Sequence, residues 1–202
     1  MSSRSVVNER GEVIIPEPPI SRYLFASTRI MPWVWLVVRV FVGWQWLQSG
    51  LGKIQSPAWM NGGVALKGFW EAAVKVPETG KPPISFDWYR SFIQFMLDNG
   101  WYSWFAPLVA FGETLIGVAL IVGAFVGIAA FFGALLNWNF IMAGAASTNA
   151  VLFTLAILLI MAWKVAGWYG LDRFLLPIVG TPWTWNQQNT LPPNRPQPKP
   201  LG

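Results

Sequence analysis

A run of fifty residues, 114 to 163, contains no Asp, Glu, Lys or Arg. As one continuous helix it would extend about 75 Å, because an α-helix rises about 1.5 Å per residue. The hydrocarbon core of a bilayer is only about 30 Å thick. The run must therefore fold back on itself, and it predicts more than one membrane span.

The rest of the sequence indicates a chain that is solvated mainly by lipid. Of its residues 54% are hydrophobic and 11% are charged, whereas soluble domains carry about 25% charged residues. Hydrophobic segments at 32–52, 106–127, 128–146 and 149–167 predict four spans, with a tight turn near 123–130. The predicted fold class is all-α integral membrane, a four-transmembrane-helix bundle.

The segment between the first and second spans, residues 53–104, is too polar to cross a membrane. Within it, residues 64–76 and 86–97 carry apolar side chains at helical spacing. Helices of this size with aromatic faces typically lie in the membrane interface or cap a bundle. The sequence therefore predicts interfacial helices in this first loop.

The two ends of the chain predict extended termini around a transmembrane domain at 32–171. Residues 1–31 form the predicted N-terminal surface arm, with two short β-prone runs around Gly11. Residues 172–202 are Pro-rich and cannot build a core of their own. Both termini, with the first loop, are expected to contact other membrane subunits.

The distribution of basic residues predicts the orientation of the chain. The terminal segments hold eight Lys or Arg, four before the first span and four from Lys164 onward, against five in the first loop. The positive-inside rule then places both termini in the cytoplasm. The net charge of +5 is scattered rather than clustered, so lipid and not nucleic acid is the expected partner. The chain is expected to be a multi-pass protein of the cell membrane.

The sequence contains no Cys and no His. This excludes thiolate nucleophiles, disulfides, iron–sulfur clusters and His-ligated haem, zinc or copper within this sequence. No cofactor is therefore expected to bind through Cys or His, and a redox centre that needs such ligands belongs to a partner.

Two charged and two amide side chains fall inside the predicted spans: Arg39, Glu113, Asn137 and Asn139. A charge in hydrocarbon costs about 2.5–3.5 kcal/mol, so we expect Arg39 and Glu113 to be functional. Their helices enter the membrane from opposite surfaces, and the rise of about 1.5 Å per residue then puts the two side chains about 10 Å apart in depth. The sequence thus argues against a direct Arg39–Glu113 ion pair and predicts that Arg39 lies level with Asn137 and Asn139.

Glu113 is expected to lie level with Gln45 and Gln48 of the first span. Lys53, at the end of that span, is long enough to reach down toward the carboxylate. Amide groups in a bundle also bind helices to one another at about 1 kcal/mol each. For the Asn and Gln residues both interpretations, helix contact and ligand binding, remain open at this point.

Fourteen tryptophans are present, and most fall near predicted membrane interfaces, as aromatic belts do. Trp44, Trp46 and Trp138 lie deeper in the predicted spans. They either pack in the bundle core or line a pocket for a flat ring such as a quinone head group.

Several short motifs, taken in order, resemble the DoxX/DoxD family of small membrane proteins. They are Arg39-x-x-x-Gly43, Gly50-Leu51-Gly52-Lys53, Phe111-Gly112-Glu113-x-x-x-Gly117, Asn137-Trp138-Asn139-Phe140, Ser147-Thr148-Asn149, Gly170-Leu171-Asp172-Arg173 and Gly180-Thr181-Pro182-Trp183. The resemblance implies a membrane subunit of a quinone-linked oxidoreductase, in particular the large subunit of a thiosulfate:quinone oxidoreductase. The implied cofactor and partner is a quinone.

On this interpretation Arg39 and Glu113 are the candidate catalytic residues, with Glu113 relaying a proton. The candidate quinone-binding residues are Asn137, Asn139, Gln45, Gln48, Trp44 and Trp138. The alternative is a non-catalytic accessory subunit that stabilises a larger respiratory or photosynthetic membrane complex. A small-solute transporter is disfavoured, because the sequence shows no inverted repeat.

Overall fold

In the computed structural model, residues 18–179 are described in full and residues 6–7 and 13–14 by their backbone. Most of this part of the chain is helical. Its elements in chain order are β1 Val6–Val7, β2 Val13–Ile14, α1 Pro19–Ala26, α2 Met31–Ile54, α3 Pro57–Met60, α4 Val64–Val74, α5 Asp87–Asp98, α6 Tyr102–Val122, α7 Val126–Met142, α8 Ser147–Met161, α9 Trp163–Ala166 and α10 Asp172–Ile178.

Of the predicted N-terminal arm the structure describes residues 6–7, 13–14 and 18–31, and of the predicted C-terminal tail residues 172–179. The rest of both predicted segments, including Gly180-Thr181-Pro182-Trp183, lies outside the described residues. The two β-prone runs pair as antiparallel strands, with Val6 opposite Ile14. The residues after them form α1, which begins with a proline, a residue suited to the first helical turn. The Nε1 of Trp35 donates to the Leu24 carbonyl at 2.8 Å, which ties α1 to the first long helix. Trp35 is therefore buried in the core rather than exposed at a membrane surface.

The four predicted hydrophobic segments correspond to α2, α6, α7 and α8 with α9, but their limits differ. The second segment begins and ends about four residues earlier than predicted. Gly123 adopts the left-handed conformation (φ 72°) and terminates α6, as glycine does most readily. The turn between α6 and α7 is therefore short, and α7 already begins at Val126. The fourth segment is interrupted at Ala162, between α8 and α9.

The predicted helices of the first loop form as α4 and α5 and pack against one another. Tyr89, Ile93 and Met96 of α5 are buried in one cluster with Leu66 and Trp70 of α4. The same cluster also includes Ala106 and Ala143, near the loop-side ends of α6 and α7. The α4–α5 unit therefore caps the bundle at that end.

Helices α2 and α6 pack closely against one another, and glycines permit the approach. A Cβ on Gly117 would lie 2.5 Å from the backbone nitrogen of Leu47, and one on Gly50 would lie 2.5 Å from that of Thr114. Side chains at these positions would force the helices apart, because the obstructing atoms are backbone. Small residues at a helix interface are characteristic of packing in lipid.

By length and composition, α6 is the one helix in the described ranges that could cross a membrane by itself. Helices α1 and α2 qualify as a second candidate when they are taken as one span bent by 59°. Helices α7 and α8 are apolar but shorter, at 17 and 15 residues. Of the apolar stretch of α6, 39% is buried, a smaller share than the core helix of a soluble protein shows.

Candidate functional site

An ion pair joins α2 to α6 inside the bundle. The Lys53 Nζ lies 2.6 Å from Oε2 of Glu113, whose side chain is fully buried. The Ser49 hydroxyl accepts a second hydrogen bond from the same ammonium at 2.7 Å and lies beside the carboxylate. The prediction that Lys53 reaches Glu113 from the end of the first span is confirmed.

Two aromatic rings lie beside the ammonium of Lys53. Its Nζ lies 5.0 Å from the centre of the Trp59 ring and 6.0 Å from that of Phe140. Cations at this distance are attracted by the negative face of an aromatic ring. Only 16% of the Lys53 side chain is exposed, so the pair is held in a largely desolvated place.

A cavity of about 480 Å³ opens beside the ion pair. Helix α2 supplies one wall, Glu113 and Phe140 belong to α6 and α7, and the first turns of α8 complete the rim. The lining residues are Gln45, Trp46, Gln48, Ser49, Lys53, Glu113, Phe140, Thr148, Asn149 and Leu152. The prediction that Glu113 lies level with Gln45 and Gln48 is thereby confirmed.

Several buried polar atoms at this level have no hydrogen-bond partner in the described chain. They are Oε1 of Glu113, Nε1 of Trp46 and both side-chain polar atoms of Asn137. The Trp46 nitrogen lies 3.0 Å from the position of a Cβ on Gly133, one helical turn from Asn137. Buried polar groups are normally paired. Glu113 and Trp46 line the cavity, whereas Asn137, a candidate for quinone binding, does not.

Arg39 lies elsewhere, at the end of the bundle where α6 turns into α7. Its Nη1 donates to the carbonyls of Leu120 and Ile121 at 2.7 and 3.0 Å, and Nη2 donates to that of Tyr169 at 2.7 Å. Its guanidinium packs directly on Gly123. Cations are favourable at helix C-termini, where the last carbonyls lack partners.

Asp172 of α10 binds the other side of the same turn. Its carboxylate accepts from the backbone N–H groups of Phe125 and, at 2.9 Å, of Val126, which are among the unpaired donors at the start of α7. Burial raises the pKa of Asp172, and the two N–H groups and the charge of Arg39 oppose that rise. Arg39 and Asp172 thus hold the α6–α7 turn together from its two sides.

The prediction that Arg39 lies level with Asn137 and Asn139 is wrong. Arg39 contacts the end of α6, whereas Asn137 lies eleven residues into α7, about 16 Å along the helix axis. The prediction failed because α2 projects about two turns beyond the α6–α7 turn. Asn137 therefore lies level with Glu113, and Arg39 does not line the cavity.

Three further candidates for quinone binding, Asn139, Trp138 and Trp44, do not line the cavity either. The amide of Asn139 donates to the Leu135 carbonyl, and its oxygens accept from the hydroxyl of Tyr89 at 3.1 Å. Burial raises the pKa of Tyr89 to about 12, so this phenol remains a donor. Trp138 packs edge-on against Tyr89, and Trp44 is 51% exposed on the outer face of α2.

Some residues of the site were not predicted from the sequence. Ser49, Thr148 and Asn149 line the cavity, yet hydroxyl and amide side chains near helix ends are too common to be singled out. The sequence analysis assigned Asp172 to the C-terminal tail and gave it no role in the site. Asp172 and the Ser147-Thr148-Asn149 segment both belong to the motifs quoted above, and those motifs are the sequence signal that could have identified these residues. No three carboxylates lie close enough to hold a metal ion together in the described ranges.

Apolar outer faces, close glycine contacts and inward-facing charges define a helical membrane protein with a polar internal site. The DoxX family model matches residues 34–148, more than half of the chain, and the chain belongs to the DoxX family. This confirms the resemblance seen in the motifs and the membrane association of the chain. No curated protein and no solved structure matches the chain.

Proposed function

We propose that this chain is the membrane subunit of a quinone-linked oxidoreductase, and that thiosulfate is the source of its electrons. A single observation carries the proposal: a buried Lys53–Glu113 ion pair forms the inner wall of a cavity large enough for a small ligand. Ligand pockets of about 300–1,000 Å³ are typical. Ionisable groups at this depth commonly mark proton or substrate pathways.

The proposed architecture has four spans: α2, α6, α7, and α8 together with α9. These contain 24, 21, 17 and 20 residues, the last counted from Ser147 to Ala166, and about 17–25 residues suffice to cross a bilayer. The even number of spans puts both termini on one side. The excess of Lys and Arg at the termini supports a cytoplasmic location for that side.

Reduction of a quinone to a hydroquinone consumes two electrons and two protons. The sequence supplies no Cys or His to hold an electron carrier, so the electrons enter from a partner subunit that oxidises thiosulfate. The residues of this chain bind the ring and deliver protons. In the ion pair Glu113 is a carboxylate, so it relays a proton: it takes one up from the Lys53 ammonium, 2.6 Å from Oε2, and passes it to a ring oxygen. Lys53, which is 16% exposed, is then reprotonated from water.

The test is the Glu113→Gln variant, which keeps the shape of the side chain and removes its titratable proton. We expect quinone reduction in membranes to fall by about 10²–10⁴-fold, the usual contribution of a positioned acid or base. Glu71→Gln is the matched control, since Glu71 is exposed on α4 beside Lys67, and its turnover should equal that of the parent. Full turnover of a correctly inserted Glu113→Gln protein would contradict the proposal.

A non-catalytic accessory subunit is the second candidate, and one surface favours it. The α5 region exposes a row of large aromatic side chains, with Phe86, Trp88, Phe92 and Phe95 each between 46% and 59% exposed. Exposed apolar patches of this kind mark contacts with proteins or membranes. If Glu113→Gln leaves turnover unchanged while Phe92→Ser with Phe95→Ser removes the chain from its complex, the accessory role is the correct one.

A further inference from the structure

We infer that the end of the bundle at the α6–α7 turn binds the headgroups of anionic phospholipids in preference to zwitterionic ones. This surface, the basic end, is formed by α1, α9 and α10 with the segments that join them to the long helices. Its exposed cations are Arg22, Arg29, Lys164 and Arg173. None of these residues lines the cavity, so the inference does not depend on the proposed function.

Contacts already in the fold bring the three short helices to the same end. The Trp35 side chain binds α1 through the Leu24 carbonyl at 2.8 Å, and α9 packs against both α1 and α2. The Trp33 ring, near the start of α2, lies 4.4 Å from the ring of Tyr169, centre to centre. Because Asp172 binds the α6–α7 turn, α10 is held at this end as well.

The charge of the basic end is one-sided. Residues 18–31 and 162–179 contain one acidic side chain, Asp172, which is buried against the turn. At the other end, residues 57–104 hold four cations and four carboxylates, and Lys67 pairs with Glu71 there. Each Lys or Arg near an anionic lipid surface strengthens binding about fivefold. The basic end is therefore complementary in charge to such a surface, whereas the loop end is balanced.

Exposed apolar side chains beside the cations identify the anion as a lipid. Ile20 and Tyr23 of α1 flank Arg22, and Phe174 and Ile178 of α10 are exposed as well. Their spacing of three or four residues puts each pair on one side of its helix. Helix α1 is bent by 59° from α2, so it leaves the direction of the span. Short helices with apolar and basic side chains lie in the membrane interface, whereas a free phosphate or an acidic protein surface would use only the cations.

The experiment measures which phospholipid the full chain retains in dodecyl maltoside. Phosphatidylglycerol and phosphatidylcholine with the same acyl chains are added in equal amounts, and the bound lipids are counted by native mass spectrometry. We expect the parent chain to prefer phosphatidylglycerol by about tenfold or more. Combining Arg22→Gln, Arg29→Gln and Lys164→Gln should reduce the preference below about twofold, because three of the exposed cations are lost. Phosphatidylglycerol should also raise the unfolding temperature of the parent, since it binds the folded chain.

A control with the same change in net charge separates this surface from charge in general. Lys67→Gln, Lys75→Gln and Lys81→Gln together remove three cations from the loop end and should keep the preference of the parent. Arg22→Lys with Arg29→Lys should keep it too, because the positive charges remain. Without added lipid all these variants should unfold near the parent temperature, as surface substitutions usually do. If the triple variant of the basic end does not fold, Arg29→Gln alone should weaken the preference about fivefold.

Three results would overturn the inference. The first is an equal preference for phosphatidylglycerol in the parent and in the triple variant of the basic end. The second is displacement of phosphatidylglycerol by millimolar inorganic phosphate, which would indicate a site for free anions. The third is an acidic protein that co-purifies with the parent and is lost in the triple variant while the lipid preference stays the same. Quinone reduction by the Glu113→Gln variant tests the proposed function separately.

Discussion

Replacement of Lys53 by Met tests whether the ion pair of the cavity governs the stability of the bundle. Glu113 is fully buried and Lys53 is its counter-charge at 2.6 Å. Removing one partner of a buried pair costs about 3–5 kcal/mol, because the other charge remains without compensation. For a chain of this length, each kcal/mol shifts the unfolding temperature by about 2–4 °C. We therefore expect a decrease of about 6–20 °C.

The assay is thermal unfolding in detergent followed by intrinsic fluorescence, for which the chain has fourteen tryptophans. Adding Glu113→Gln to Lys53→Met removes the uncompensated charge and should recover most of the lost stability. Such recovery is the coupling that a double-mutant cycle measures. Lys67→Met is the control, because Lys67 forms an exposed pair with Glu71 at 3.7 Å, worth less than about 1 kcal/mol. A Lys53→Met protein that unfolds within about 2 °C of the parent would refute the reasoning.

Two further predictions concern the parts of the fold that position the cavity. Arg39→Gln should destabilise the chain by about 3–5 kcal/mol, because it removes hydrogen bonds to three carbonyls and leaves Asp172 without its counter-charge. Thermal unfolding measures the loss, with Arg22→Gln, at an exposed position, as the control. Equal stability of the two variants would show that the turn does not depend on Arg39. Gly117→Val should abolish monodisperse folded protein on size-exclusion chromatography, since its Cβ would meet backbone at 2.5 Å, whereas Gly112→Ala meets no atom within 4 Å and should behave as the parent.

The sequence correctly predicted a helical chain, with helices at its four hydrophobic segments, and one end of its polar interior. Glu113 and Lys53 could be matched because Lys53 ends one span and Glu113 enters the next span from that same side. Their depths are therefore counted from a shared surface. The helical rise then suffices to place them side by side. The same argument placed Gln45 and Gln48 at the level of Glu113, as observed.

The depth of Arg39 could not be obtained in this way. Its level relative to α7 depends on where the α6–α7 turn falls along α2, and hydropathy locates a turn only approximately. Gly123 terminates α6 close to Arg39, so the turn lies about two helical turns inside the start of α2. Local sequence also gave no sign that Asp172 returns to bind the N–H groups of Phe125 and Val126.

Arg39 and Glu113 show why the free-energy cost of burying a charge does not by itself identify a functional residue. Both Arg39 and Glu113 are expensive to place in hydrocarbon, and from the sequence they had equal claims. Arg39 uses both terminal nitrogens on backbone carbonyls at a helix end, which leaves only its Nε unpaired. The hydrogen bonds that Arg39 makes at the α6–α7 turn offset the free-energy cost of burying its charge.

Glu113 differs because its partner satisfies only one of its two oxygens, and the other lies beside a cavity. The unpaired atoms of Trp46 and Asn137 lie at the same level as Glu113. Buried polar atoms without hydrogen-bond partners therefore occur on three helices at this level. A structural network would be expected to satisfy such atoms internally. Of these residues Glu113 and Trp46 line the cavity, whereas Arg39 does not, which is why we assign the proposed chemistry to Glu113 rather than to Arg39.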